Sequence, residues 1–169
     1  MKRTLKTTVI LCGEELLNCP GMPTRKRMEQ GPVAIIECIQ EIPCDPCVDA
    51  CRKGAILIGV DITRPPQLLE EKCNGCGSCI AECPGLAIFV ADLNHSPEEA
   101  LLKIPYEFLP LPKANTKVLA LDREGKVIGE VRVLKVSNPK KNDRTPVLSL
   151  LVPKELVLEI RHIGLKESV

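Results

Sequence analysis

The residues best suited to chemistry lie in one run, Cys73-Asn-Gly-Cys76-Gly-Ser-Cys79-Ile-Ala-Glu-Cys83-Pro84. Three thiolates at intervals of three residues can wrap a short loop around one corner of an iron–sulfur cubane, each reaching a different iron. Gly75, Gly77 and Ser78 are small enough to let backbone amides approach the sulfurs and donate hydrogen bonds. Cys83, followed by a proline, is placed to face away from its own triplet. Zinc is the chemical competitor, but all-cysteine zinc sites use two separated Cys-x2-Cys knuckles. Overlapping triplets with a further cysteine suit a cluster better.

A second copy of the pattern lies upstream. Cys44-x2-Cys47-x3-Cys51-Arg-Lys-Gly-Ala55-Ile56 matches Cys76-x2-Cys79-x3-Cys83-Pro-Gly-Leu-Ala87-Ile88 at a constant offset of 32 residues. Cys38 corresponds to Cys73 at an offset of 35, so the first copy carries three extra residues there. The stretch from about Val33 to Asp92 resembles the bacterial-type two-cluster [4Fe-4S] ferredoxin domain. By that resemblance Cys73, Cys76, Cys79 and Cys51 would hold one cluster, and Cys38, Cys44, Cys47 and Cys83 the other. The chain departs from the family in the Cys38-x5-Cys44 gap and in Arg52, which stands where a proline is usual. Either the longer gap loops outward and leaves the ligands in place, or Cys38 is no ligand and its cluster is [3Fe-4S] or absent.

Two [4Fe-4S] clusters with complete cysteine ligation would move single electrons and leave no open coordination position. No phosphate loop, dinucleotide fingerprint or nucleophile elbow accompanies them. The expectation is an electron-transfer iron–sulfur subunit with no catalytic site of its own. It would relay electrons between a flavin on a partner flavoprotein dehydrogenase subunit and another redox centre, as part of a hetero-oligomer. A free-standing ferredoxin-type carrier and a redox-sensing or structural protein are the alternatives. Cys12 and Cys19 are left over: Cys12 follows Val9-Ile10-Leu11 and reads as a buried thiol, and Cys19 as a turn residue or spare ligand.

The elements that must position these thiols read as α+β: a dicluster ferredoxin-like domain followed by a small antiparallel β module. Residues 1–32 form an N-terminal extension, 33–92 the two-cluster domain, 93–115 a short helix and proline-rich connector, and 116–169 the β module. Val33–Ile36, Ala55–Ile58, Gln67–Leu69 and Ala87–Val90 have strand character, and each Cys-x3-Cys segment suggests one helical turn. Ser96-Pro97-Glu98-Glu99 has the composition of a helix start. Beyond it, strands are expected at 118–121, 126–136, 147–152 and 156–163. Asp122–Gly125 forms the first turn, and a bulge is expected near Leu134, where the alternation slips.

Composition narrows the remaining classes. With 23 basic and 22 acidic residues the net charge is +1, so no global field favours nucleic acid or a membrane. Phe89, Tyr106 and Phe108 are the only aromatics, too few for base-stacking platforms. The basic runs Arg25–Arg27 and Lys140–Arg144 read as solvated loops, and His95 and His162 show no metal spacing. No apolar run is long enough to span a bilayer, and the stretch after Met1-Lys2-Arg3 is too short for a signal core. A cytoplasmic location is expected.

Overall fold

Strand β1 (Val33–Ile36) has all four side chains buried. Side chains alternate between the faces of a strand, so burial on both faces requires two covers. A computed structural model, which describes residues 10, 11 and 13–166, supplies them. Val33 and Ile35 enter a large aliphatic core, while Ala34 and Ile36 enter a second core that contains Cys47 and Cys79. The partner strand β4 (Ile88–Asp92) divides in the same way: Phe89 and Ala91 join the first core, Ile88 and Val90 the second. This pair of strands is the wall between the cysteine lobe and the rest of the protein.

Between them lie two one-turn helices, α3 (Pro46–Ala50) and α4 (Ser78–Ala81), and a two-stranded ribbon of β2 (Ile56–Leu57) with β3 (Gln67–Leu68). Two more short helices precede β1: α1 (Glu14–Leu17) and α2 (Arg25–Met28). The 32-residue repeat is visible in three dimensions, since α3 and β2 match the positions of α4 and the start of β4.

Downstream come β5 (Glu99–Pro105), β6 (Lys117–Leu121), β7 (Val127–Ser137), β8 (Val147–Pro153) and β9 (His162–Gly164). One seven-stranded antiparallel sheet unites them with the first pair, in the order β1-β4-β5-β8-β7-β6-β9. The expected fold class is therefore corrected. The chain is α+β with a large seven-stranded sheet, a two-stranded ribbon and short helices, not a dicluster ferredoxin-like domain with a separate β module appended.

The reason lies in β5, read from sequence as a helix. Ser96 does cap a turn, but its hydroxyl accepts from Glu99 N (2.9 Å) and donates to Glu99 O (3.0 Å), closing the β4–β5 connection. Ala100, Leu102 and Ile104 then alternate, each 0% exposed. Paired to β4 on one side and β8 on the other, β5 carries the sheet across the join. The helix-start composition is local, and tertiary burial overrides it.

The expected 156–163 strand is also corrected. Lys154–Leu156 is a 3-10 turn, Ile160 N donates to Leu156 O at 3.0 Å, and pairing begins only at His162. Between Leu156 and Ile160 the buried residues are Val157 and Ile160, a spacing of three that suits a turn of helix. The turn and the bulge appear where expected. Asp122 Oδ1 accepts from Glu124 N and Lys126 N, Gly125 has φ 77°, and the β7–β8 register shifts between Val133 and Lys135. Among the described residues, no helix is long and apolar enough to cross a membrane.

Candidate functional site: the cysteine lobe

Each cysteine triplet begins a few residues after a strand, two after β1 and five after β3. Cys38 follows β1, Cys44 precedes α3, Cys47 sits inside it and Cys51 caps its C-terminus. Cys73 follows β3, Cys79 lies within α4, and Cys83 comes just after that helix. The two copies share a local bond: Ala55 N donates to Cys51 Sγ at 3.3 Å, and Ala87 N to Cys83 Sγ at 3.4 Å. Cys73 Sγ accepts from Ala34 N at 3.3 Å, which ties its loop to β1.

The thiols fall into two neighbourhoods, each made of three cysteines from one copy and one from the other. Burial, then the fields of Cys83, Cys38 and Cys44, push the Cys47 thiol up to about 11. Burial, then Cys73, Cys76 and Cys51, push Cys79 up to about 12. Cys38 is raised by burial and by Cys83 and Cys44, so the five-residue gap does not remove it from its group. Cys76 is the outlier. Burial would raise it, but the Ser78 N–H and hydroxyl and the Lys103 ammonium outweigh that and hold it below the ordinary thiol range. A cleft of about 750 Å³ opens onto Cys51, Cys73, Cys76 and Cys79.

Close as the thiols are, they do not converge. Among the described residues, no group of three or more Cys, His, Asp or Glu side chains could hold a metal ion. The expected two [4Fe-4S] clusters therefore do not fit the side chains as they stand. The two-cluster ferredoxin domain, the metal-binding and iron–sulfur assignment, and the electron-relay subunit built upon them are corrected with it.

Cys19 is buried, with Sγ donating to Ile36 O at 3.1 Å, and burial raises its thiol. Cys12 lies outside the described residues. His162 stacks on Tyr106 with centroids 5.4 Å apart and meets Phe108 edge-on at 5.0 Å.

Several residues that hold the lobe together were not legible as such. Arg27, in the basic run read as a solvated loop, is a clasp. Its guanidinium donates to the carbonyls of Cys73 (2.5 Å), Glu70 (2.9 Å), Gly31 (3.0 Å) and Pro32 (3.3 Å). Lys103 Nζ donates to Gly75 O at 2.9 Å from the neighbouring strand. Gly75 has φ +63°, and a Cβ there would lie 2.4 Å from Pro32 Cβ, so only glycine fits. Beside Cys38, the half-buried Glu37 receives Arg161 and Arg123. An arginine in the sequence gives no sign that it will meet a carbonyl cage or a half-buried acid.

A protein-family model described as "4Fe-4S binding domain" matches residues 66–89, which span β3, the second triplet and the first residues of β4. The ferredoxin-type protein NapF of Escherichia coli K12, and those of strains O6:H1 and O157:H7, are each 41% identical over 51 residues. That alignment covers 29% of this chain and 31% of each relative, so the chain spans less than a third of their length. No solved structure matches. The similarity is partial and belongs to the cysteine lobe.

Proposed function

We propose that the cysteine lobe is a paired thiol site, four cysteines in each half, that the sheet presents to a partner protein. The assigned residues are Cys38, Cys44, Cys47 and Cys83 in one half, and Cys51, Cys73, Cys76 and Cys79 in the other. The observation that carries the reading is the exchange of the last thiol between repeats. Cys83 acts on Cys47, and Cys51 acts on Cys79, across the fold rather than along the sequence. The match of residues 66–89 and the relatives' name, ferredoxin-type, support a thiolate role for the second half.

The proposed partner is a protein, a flavoprotein dehydrogenase subunit being the class the sequence suggests, and co-purification of a flavin-bearing chain from the native host tests that assignment.

Pulsed alkylation with mass-spectrometric readout of the anaerobically isolated chain tests the site. Cys47 and Cys79, buried and raised, are expected to react most slowly of the eight. Cys83→Ser should change the labelling rates of Cys38, Cys44 and Cys47 while those of Cys73, Cys76 and Cys79 stay as they are. A change confined to Cys83's own sequence neighbours, or no change in either half, would sink the reading.

A further inference from the structure

Cys19 belongs to neither half of the thiol site, yet it lies against the strand that leads into Cys38. The segment before α2 meets the end of β1 at a single antiparallel bridge, Gly21 opposite Ile36. Ile36 N donates to Gly21 O at 2.9 Å, and Cys19 Sγ donates to Ile36 O at 3.1 Å, so both backbone groups of Ile36 are held from this segment. The approach is so close that a Cβ at Gly21 would meet the Ile36 backbone oxygen at 2.5 Å, a clash that glycine avoids.

Register supplies the second observation. In an antiparallel pair each step back along one chain is matched by a step on along the other, so the bridge at Gly21 and Ile36 sets residue 19 opposite residue 38. Directly opposed residues lie about 4.5–5.5 Å apart at Cα, inside the span of about 4.4–6.8 Å that a disulfide takes. The turn that Met22 N closes on Cys19 O bends the chain here, but the sulfur still points back to β1, as its bond to Ile36 O shows. The neighbourhood is also electrical: after burial and a bond from the Gly21 backbone, the charges of Glu37 and Cys38 act on the Cys19 thiol. Cys19 is buried and Cys38 half-buried, so Cys38 is the member open to a small reagent.

We propose that Cys19 and Cys38 form a redox pair, joined as a disulfide when a low-molecular-weight disulfide oxidises the protein. Cys38, as thiolate, attacks one sulfur of the oxidant, and the other half of the oxidant leaves as a thiolate. Cys19 then loses its proton and attacks Cys38 Sγ, expelling the half that was attached. Two electrons pass from the cysteine pair to the oxidant, which departs as two thiols carrying the two cysteine protons. The closed pair withdraws Cys38 from Cys44, Cys47 and Cys83 and fastens the N-terminal segment to β1. Because Cys19 lies outside both thiol groups, the pair and the grouping proposed above can each fail alone.

The test starts from the reduced full chain, freed of reductant and incubated with glutathione disulfide. The product is alkylated in denaturant, cut with a glutamate-specific protease and mapped by mass spectrometry without reduction. Cleavage after Glu15, Glu29, Glu37 and Glu41 parts Cys19 from Cys12 and Cys38 from Cys44. Peptides 16–29 and 38–41 should appear linked, with alkylation lost at both cysteines, no glutathione retained on them, and the link reversed by dithiothreitol. In Cys19→Ser, whose hydroxyl can still donate to Ile36 O, glutathione should stay on Cys38. In Cys38→Ser, Cys19 should remain an alkylatable thiol. Linkage of Cys38 to Cys44 or Cys83, linkage of Cys19 to Cys12, loss of glutathione from Cys38 in Cys19→Ser, or two unlinked cysteines in the treated unaltered chain would overturn the pair.

Discussion

Arg161 and Glu37, 124 residues apart in sequence, meet in two hydrogen bonds of 2.8 and 2.6 Å to the same carboxylate oxygen. The guanidinium also lies 4.6 Å from the centroid of Phe89 and donates to the carbonyls of Val157 and Ile160. Arg123 reaches the same carboxylate from the β6–β7 turn at 3.1 and 2.5 Å. The far end of the sheet is thereby bonded to the residue directly before Cys38.

Removing Glu37 leaves two arginine charges, the buried Arg161 among them, without their partner. Glu37→Ala is expected to cost about 3–5 kcal/mol, read as a lower denaturation midpoint. Burial pushes the Glu37 carboxyl up, but Arg161 and Arg123 outweigh it, so the folded carboxyl lies below the ordinary range. A depressed folded pKa gives stability that is complete above the unfolded value of about 4.3 and lost as pH falls through the folded one. Unfolding free energy of the unaltered chain should therefore drop below about pH 4 more steeply than that of Glu37→Gln. Parallel curves would show that the pair contributes nothing.

Arg27 makes four bonds to carbonyls that, among the described residues, no other side chain engages. Arg27→Ala should cost about 2 kcal/mol and raise the alkylation rate of Cys73, whose carbonyl takes the shortest bond. Arg27→Lys should recover only part of this, since an ammonium lacks the planar fork. Equal behaviour of the two variants would mean that charge alone matters.

These two arginines show where sequence reading stops. The cysteine repeat, the one-turn helices, the Asp122–Gly125 turn and the bulge at Leu134 were legible because each is written in neighbouring residues. β5 was not, because Ser96-Pro97-Glu98-Glu99 favours a helix locally and only the strands on either side make it a strand. The pairing of Cys83 with the first triplet came from resemblance alone. The failure of the thiols to converge on an ion could not be read at all, because side-chain direction depends on packing from β1, Arg27 and Lys103.

Gly75→Ala should break the second thiol neighbourhood selectively. The added Cβ meets the Pro32 backbone carbonyl carbon at 2.6 Å at a positive φ, and neither can yield cheaply. Strain and overpacking together suggest a loss of about 2–5 kcal/mol. Gly85→Ala, with open space around it and no positive φ, is the matched control. Alkylation should speed up at Cys73, Cys76 and Cys79 in the first variant and at none of them in the second.

The last expectation concerns the order in which the thiols react. Cys76 is exposed and its thiol is held low, whereas Cys47 and Cys79 are buried and raised to about 11 and about 12. The thiolate is the nucleophile, so at pH 8 maleimide should label Cys76 first and Cys79 last. Lys103→Met removes a positive charge that favours the Cys76 thiolate and also the bond to Gly75 O. Its labelling profile should move to higher pH, while Lys103→Arg should restore the charge and most of the rate. A profile that does not move in Lys103→Met would assign the low Cys76 value to the Ser78 donors alone.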